Sequence, residues 1–190
     1  MKPIKIATRG SRLAIAQAET VTKALKSLDP SAEILLVIIS TKGDRDRSDF
    51  LYKAESVGFF TSEVEIALLD GRADLAVHSL KDLPTTIRDG LVIAAVPKRE
   101  NPADVIIARR QLSSIADIPA GATIGTSSLR RIAQIKRLRD DLKCVPLRGN
   151  VETRLSKVAS GQLDAAVLAY AGVNRLGLSD KVSLMLSPKD

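Results

Sequence analysis

The chain has 190 residues, 45% of them apolar, enough to bury a core and to exclude wholesale disorder. Aromatics are only 3% with no Trp, which argues against a base-stacking nucleic-acid surface, and no apolar run reaches the ~18 residues of a spanning helix. The net charge of +7 is uneven, with 14 basic and 13 acidic residues in 1–98 but 15 and 9 in 99–190, so the second half either holds an anion or presents a solvated basic surface.

Ile4-Lys5-Ile6-Ala7 predicts a strand. Leu13, Ala16, Ala18, Val21, Ala24, Leu25 and Leu28 then recur at helical spacing over 12–28, with Ser11 as N-cap. Residues 34–39 form a continuous apolar run, the pattern of a strand covered on both faces. A polar stretch from Thr41 to about Gly58 predicts a mobile loop. A second helix opens at Thr61-Ser62-Glu63, with Ser62 and Glu65 at capping-box spacing and Gly71 as its stop. Strands are predicted at 75–77 and 91–96. Pro97 and Pro102 bracket a charged segment that divides the chain into domains 1–98 and 99–190. Beyond it, strands at 105–107, 123–125, 144–145 and 165–169 alternate with helices at about 128–139 and 151–159. The alternation predicts an α/β fold of two lobes with mixed, largely parallel sheets. Gly71-Arg72-Ala73-Asp74-Leu75-Ala76-Val77 and Gly161-Gln162-Leu163-Asp164-Ala165-Ala166-Val167 share Gly-x-x-Asp-x-Ala-Val. The echo is either a repeat of one lobe or common turn chemistry.

Ligands of open α/β sheets sit beyond the carboxyl ends of the strands, and four segments fall there. Thr8-Arg9-Gly10-Ser11 leads into a helix N-terminus, where free N–H groups favour anions and Arg9 offers a fork. Helix capping by Ser11 is the plainer reading of that segment alone. Gly125-Thr126-Ser127-Ser128-Leu129-Arg130-Arg131 places two arginines in a first helical turn, against the helix dipole, which calls for a compensating anion. In Leu147-Arg148-Gly149-Asn150-Val151-Glu152-Thr153-Arg154, Asn150 caps a helix, and Arg148 and Arg154 are either anion contacts or ordinary surface charges. His78-Ser79-Leu80-Lys81-Asp82-Leu83-Pro84 offers an anion contact in Lys81 and a carboxylate for acid/base work or cation stabilisation in Asp82, or else a solvated ion pair. His78 has no triad or metal partner and reads as structural. No metal site is expected. Five arginines at strand ends point to a polycarboxylate ligand, and the lack of a P-loop or G-x-G-x-x-G disfavours nucleotides.

These segments, together with Ala73-Asp74-Leu75-Ala76-Val77-His78 and Ala171-Gly172-Val173-Asn174-Arg175-Leu176-Gly177-Leu178, are collinear with the motifs of the porphobilinogen deaminase (hydroxymethylbilane synthase) family, which the whole chain resembles. The resemblance implies two lobes like type II periplasmic binding proteins with an active site in their cleft. It also implies a third domain whose cysteine holds a dipyrromethane cofactor by a thioether. It implies head-to-tail condensation of porphobilinogen into a linear tetrapyrrole with loss of ammonia, in porphyrin and haem biosynthesis. Asp82 matches the aspartate that stabilises pyrrole nitrogens and the azafulvene cation. Arg9, Ser11, Lys81, Thr126, Ser127, Ser128, Arg130, Arg131, Arg148, Arg154 and Arg175 match residues that grip acetate and propionate groups. Porphobilinogen and pyrrole oligomers are the implied partners, without nucleic acid or membrane, in a cytoplasmic and usually monomeric enzyme. Two departures stand out. The sequence stops at Asp190, before the cofactor domain and the segment that returns to the first domain, so the chain is expected to be inactive alone and to hold dipyrromethane non-covalently if at all. The family's Gly-Gly-Lys-Gly reads Glu55-Ser56-Val57-Gly58, with Val57 in place of lysine. Cys144, in a predicted strand, reads as a packed thiol rather than a replacement attachment site. The other class of reading is a non-enzymatic two-lobed module for polycarboxylate anions.

Overall fold

The computed structural model describes residues 2–41 and 61–187. The expected loop around residues 42–58, including Val57, lies outside the described residues. The chain separates into two compact units, Met1–Pro97 and Lys98–Asp190.

Unit 1 is built on a parallel sheet of β1 (Ile4–Arg9), β2 (Ile34–Ile39) and β3 (Leu75–Ala76), in the order β2-β1-β3. Helix α1 (Arg12–Leu28) packs on β1, and Ser11 caps it as expected, its Oγ accepting the Ala14 N–H at 3.2 Å. Helix α2 (Ser62–Leu69) buries Val64 and Ala67 against Ala7 and Ile39. Three expectations fail here. The second helix is capped by position rather than by a box: Thr61 takes the N-cap without a side-chain bond, and Ser62 is already the first helical residue. Strand β2 is not covered on both faces, since Leu35 and Ile38 are 43% and 52% exposed; it is a sheet edge among the described residues. Residues 91–96 form no strand. A strand needs a ladder partner, this run has none among the described residues, and Val92, Ile93 and Val96 are exposed.

Unit 2 carries β4 (Asp104–Ala108), β5 (Thr123–Gly125), β6 (Lys143–Val145), β7 (Ala165–Ala169) and β8 (Leu184–Met185), in the order β6-β5-β7-β4-β8. β6, β5 and β7 run parallel; β4 opposes β7 and β8. The period of two along β4 and β7 divides the core. Val105, Ile107, Ala166 and Leu168 face α4 (Val151–Ala159) and α5 (Tyr170–Arg175), with Val158 and Val173 beneath them. Ile106, Ala165 and Val167 face the other way, toward Ile135 of α3 (Leu129–Leu138) and Ile118. Neither α5 nor β8 is predicted from the sequence: both are too short for a periodic signal.

The Gly-x-x-Asp-x-Ala-Val echo has one geometry in both units. Gly71 and Gly161 end their helices at φ +67° and +78°, where a side chain would be strained. Their N–H groups reach Leu68 O and Val158 O at 3.0 Å. Two residues on, Ala73 N and Leu163 N both bond a helical carbonyl at 3.2 Å. The aspartates then latch the neighbouring strand: Lys5 N donates to Asp74 Oδ2 at 2.7 Å, and Thr123 N to Asp164 Oδ2 at 2.8 Å. The following strand enters the sheet in the same register, Ile6 against Leu75 and Ile124 against Ala165.

Candidate functional site

In unit 1 the carboxyl ends of β1 and β3 lie side by side, Ala7 opposite Ala76. This brings Arg9, the last residue of β1, to the edge that the His78–Asp82 segment leaves from. Thr8 is fully buried, and its Oγ1 donates to Ala14 O at 3.1 Å, tying the strand end to the first turn of α1. Gln17 of α1 reaches across and donates from Nε2 to Ser79 Oγ at 2.9 Å. Lys81 and Asp82 sit on an exposed 3-10 turn, Leu80–Asp82, closed by Asp82 N–H donating to Ser79 O at 2.9 Å. His78 is half-buried. Burial pushes its imidazole below the ordinary value; Asp82 and Glu65 draw it back up, and Arg9 opposes them. The imidazole therefore feels Arg9 and Asp82 together.

In unit 2 the parallel strands β5, β6 and β7 deliver three loops to one edge, and antiparallel β4 begins there, Asp104 opposite Ala169. Thr126 is buried and joins β6 through N–H donation to Val145 O at 2.9 Å, while its Oγ1 accepts the Ser128 N–H at 3.2 Å. Ser127 Oγ bridges to the next loop, donating to Leu147 O at 3.1 Å and accepting from Leu147 N at 3.0 Å. Ser128 caps α3. Gly149, at φ +103°, turns the following loop; a Cβ there would meet Thr153 Cγ2 at 2.8 Å. That turn aims the Gly149 carbonyl at Arg154, whose Nε donates to it at 2.8 Å. Asn150 caps α4, accepting the Thr153 N–H at 2.8 Å.

The arginines divide into two kinds. Arg131 is committed: Nε and Nη2 form a fork on Asp104 Oδ2 and Oδ1 at 2.7 and 2.6 Å, and Nη1 reaches Val167 O at 3.3 Å. An anion of the chain itself thus faces this first-turn arginine, Asp104 at the start of β4. Arg154 is the other kind. It is partly buried, its side chain bonds only a backbone carbonyl among the described residues, and burial and then the Arg131 charge both work against its protonated form. Arg130 and Arg148 make no side-chain hydrogen bond or ion pair among the described residues. Arg175 closes α5, about 9 Å along that helix from the end of β7 at 1.5 Å per residue.

Asp104 and Gln17 are the site residues that the sequence does not announce. Asp104 lies 27 positions from its partner and Ser79 lies 62 from Gln17, so no local spacing points to either pair. Cys144 lies in β6, and burial raises its thiol above the ordinary range. Among the described residues, no group of three or more His, Cys, Asp or Glu side chains could hold a metal ion, and no helix is long and apolar enough to cross a membrane.

The family model for the porphobilinogen deaminase dipyromethane cofactor binding domain matches residues 4–190. The chain belongs to the porphobilinogen deaminase family. Relatives include a porphobilinogen deaminase of Nitratidesulfovibrio vulgaris, 49% identical over 99% of this chain and 59% of its own length. Those of Pelotomaculum thermopropionicum and Alkaliphilus metalliredigens are 50% and 46% identical, over 97% and 100% of this chain and 59% and 60% of their lengths. The chain thus spans about three fifths of the curated relatives it matches. Solved structures of similar fold are periplasmic-binding-protein-like. The OxyR2 regulatory domain of Vibrio vulnificus matches at TM-score 0.56 and 17% identity, over 99% of this chain and 81% of that one. A putative methionine-binding lipoprotein of Bacillus subtilis matches at TM-score 0.53 and 14% identity, over 100% and 79%. The two-lobed α/β expectation holds.

Proposed function

We propose that this chain supplies the porphobilinogen-handling lobes of a porphobilinogen deaminase, which condenses porphobilinogen head to tail with loss of ammonia. The observation that carries the reading is Arg154: a partly buried guanidinium with no carboxylate partner among the described residues, near enough to Arg131 to feel its charge, where three loops end. A cation so placed is balanced by an anion from outside, and the acetate and propionate groups of a pyrrole are such anions.

In this reading Arg154, Arg148 and Arg130 grip carboxylates in unit 2, with N–H groups of the Thr126-Ser127-Ser128 loop. Arg131 holds the loop through Asp104. Arg9, Ser11 and Lys81 serve carboxylates at the edge of unit 1, and Arg175 does so from the end of α5. Asp82 presents an exposed carboxylate that stabilises positive charge on a pyrrole as ammonia departs. A dipyrromethane fits the same arginines through its acid side chains and supplies, when bound, the pyrrole chain to be extended. Its thioether does not fit Cys144, whose thiol sits in a strand and is held protonated by burial. On this basis we expect the 190 residues by themselves to release little or no ammonia; the family reading places the activity of a porphobilinogen deaminase in the cytoplasm, in haem biosynthesis.

Calorimetry tests the reading. Porphobilinogen should bind more tightly than sulfate or simple dicarboxylates, and Arg154→Gln should weaken it about tenfold, or ~1.4 kcal/mol. Equal affinity for all three ligands would favour a general anion-binding module and overturn the pyrrole reading.

A further inference from the structure

Thr126, Ser127 and Ser128 follow one another at the carboxyl end of β5, and their hydroxyl protons are not used alike. The ladder between β5 and β6 runs from Thr123 against Lys143 to Gly125 against Val145. Thr126 N–H adds one more bond, to Val145 O at 2.9 Å, before the backbone turns into α3. On the β6 side Pro146 has no N–H to offer, so the next donor is Leu147. Ser127 meets it with a side chain in place of backbone. Its Oγ accepts the Leu147 N–H at 3.0 Å and donates to Leu147 O at 3.1 Å. One hydroxyl thus satisfies both polar groups of a buried backbone residue. Leu147 is also held from the core side, packed so closely on Gly125 that a Cβ there would meet Leu147 Cδ2 at 2.8 Å. A serine hydroxyl has one proton and two lone pairs. The Ser127 proton is spent on Leu147 O, which leaves none for a carboxylate, a group that only accepts. Its neighbours differ. Thr126 Oγ1 accepts the Ser128 N–H at 3.2 Å and Ser128 Oγ accepts the Arg131 N–H at 3.5 Å, so among the described residues their side-chain bonds use lone pairs only.

We propose that Ser127 is a positioning residue: its hydroxyl fastens the loop after β5 to the loop after β6, and does not itself touch a carboxylate. Arg148 follows Leu147 directly, and Gly149 makes its turn one residue later. Fastening Leu147 therefore fixes where Arg148 starts, relative to the N–H groups that open α3. A ligand meets the two loops as one unit, already ordered. The resemblance alone would make the Ser127 hydroxyl a carboxylate contact; the use of its proton assigns it to the loops instead. The inference rests on the carboxylate-site reading above and deepens it. Its physical basis is preorganisation: two loops ordered during folding need not be ordered again on binding.

The test uses the 190-residue chain. Ser127→Ala removes the hydroxyl and leaves both polar groups of Leu147 without that partner. Hydrogen exchange at the Leu147 amide of the ligand-free protein should quicken about tenfold, and calorimetry should show porphobilinogen binding weakened about three- to tenfold. Ser127→Thr keeps the hydroxyl and should match the native chain in both readings. Ser127→Cys, of the same shape with a weaker donor, carries the comparison if the alanine variant fails to fold. A double-mutant cycle then separates a fastener from a ligand contact. Arg148→Gln should lose less porphobilinogen affinity in the Ser127→Ala background than in the native chain, because the loop that presents Arg148 is already released. Additive losses, or a Leu147 amide that keeps its native exchange rate in Ser127→Ala, overturn the proposal while leaving the carboxylate site standing. Failure of the native chain to bind porphobilinogen overturns both.

Discussion

Arg131 and Arg154 stand at the same edge of one sheet and differ in what faces them, so their substitutions should fail in different ways. Removing Arg131 strands Asp104, a partly buried carboxylate, and should destabilise unit 2 by about 2–4 kcal/mol. Removing Arg154 removes a partly buried cation without a carboxylate partner among the described residues; Arg154→Gln should leave the melting temperature nearly unchanged while weakening porphobilinogen. Thermal melts beside calorimetry separate the two effects. At the edge of unit 1, His78 makes a pH prediction. Its folded pKa is depressed below the ordinary ~6.5 by burial, so the unfolded chain takes up its proton first as pH falls. Stability from the neutral imidazole is complete above the ordinary value and is lost as pH drops through the folded one. An imidazole NMR titration should give a midpoint below 6.5, and His78→Gln should flatten the loss of unit 1 stability as pH falls from the ordinary value through the depressed one.

The element that the two units share is the helix stop followed by a latched strand. Asp164 accepts from the backbone and the hydroxyl of Thr123, each at 2.8 Å, and these bonds hold its carboxyl below the usual carboxylate range. That stabilisation is present above the unfolded pKa of ~3.9 and lost as pH falls through the depressed one. Asp164→Asn should cost about 1 kcal/mol, since the carboxylate is partly solvated and its bonds are only partly screened from water. Hydrogen exchange should quicken in β5 and β7 and not in β1 and β3; Asp74→Asn should do the reverse. Equal exchange everywhere would mean that the latch is not local. Gly149→Ala tests the second loop. With φ at +103° and Thr153 Cγ2 at 2.8 Å from the added methyl, it should destabilise α4 by about 1–3 kcal/mol, read in the same exchange experiment.

At the scale of the whole molecule, the chain passes from one compact unit to the other through a stretch without regular structure, residues 91–103, that exposes Lys98 and Arg99. Among the described residues, limited trypsin digestion should cut first there, and mass spectrometry should find new N-termini at residues 99 or 100. The sequence by itself determined what is local. Ser11 and Asn150 are read as caps because a hydroxyl or amide before a periodic run satisfies the nearest free N–H groups. Gly71 and Gly161 are read as stops because only glycine enters the left-handed turn cheaply. Those signals suffice to place Arg9, Arg130, Arg131, Arg148 and Arg154 near strand ends. The tertiary structure decided everything that depends on a distant partner. Among the described residues, 91–96 have the composition of a strand but no neighbour to bond, and β2 has the composition of a buried strand but lies at an edge. Two arginines that look alike in sequence part ways because, among the described residues, the side chain of one meets a carboxylate 27 positions away and that of the other meets a backbone carbonyl.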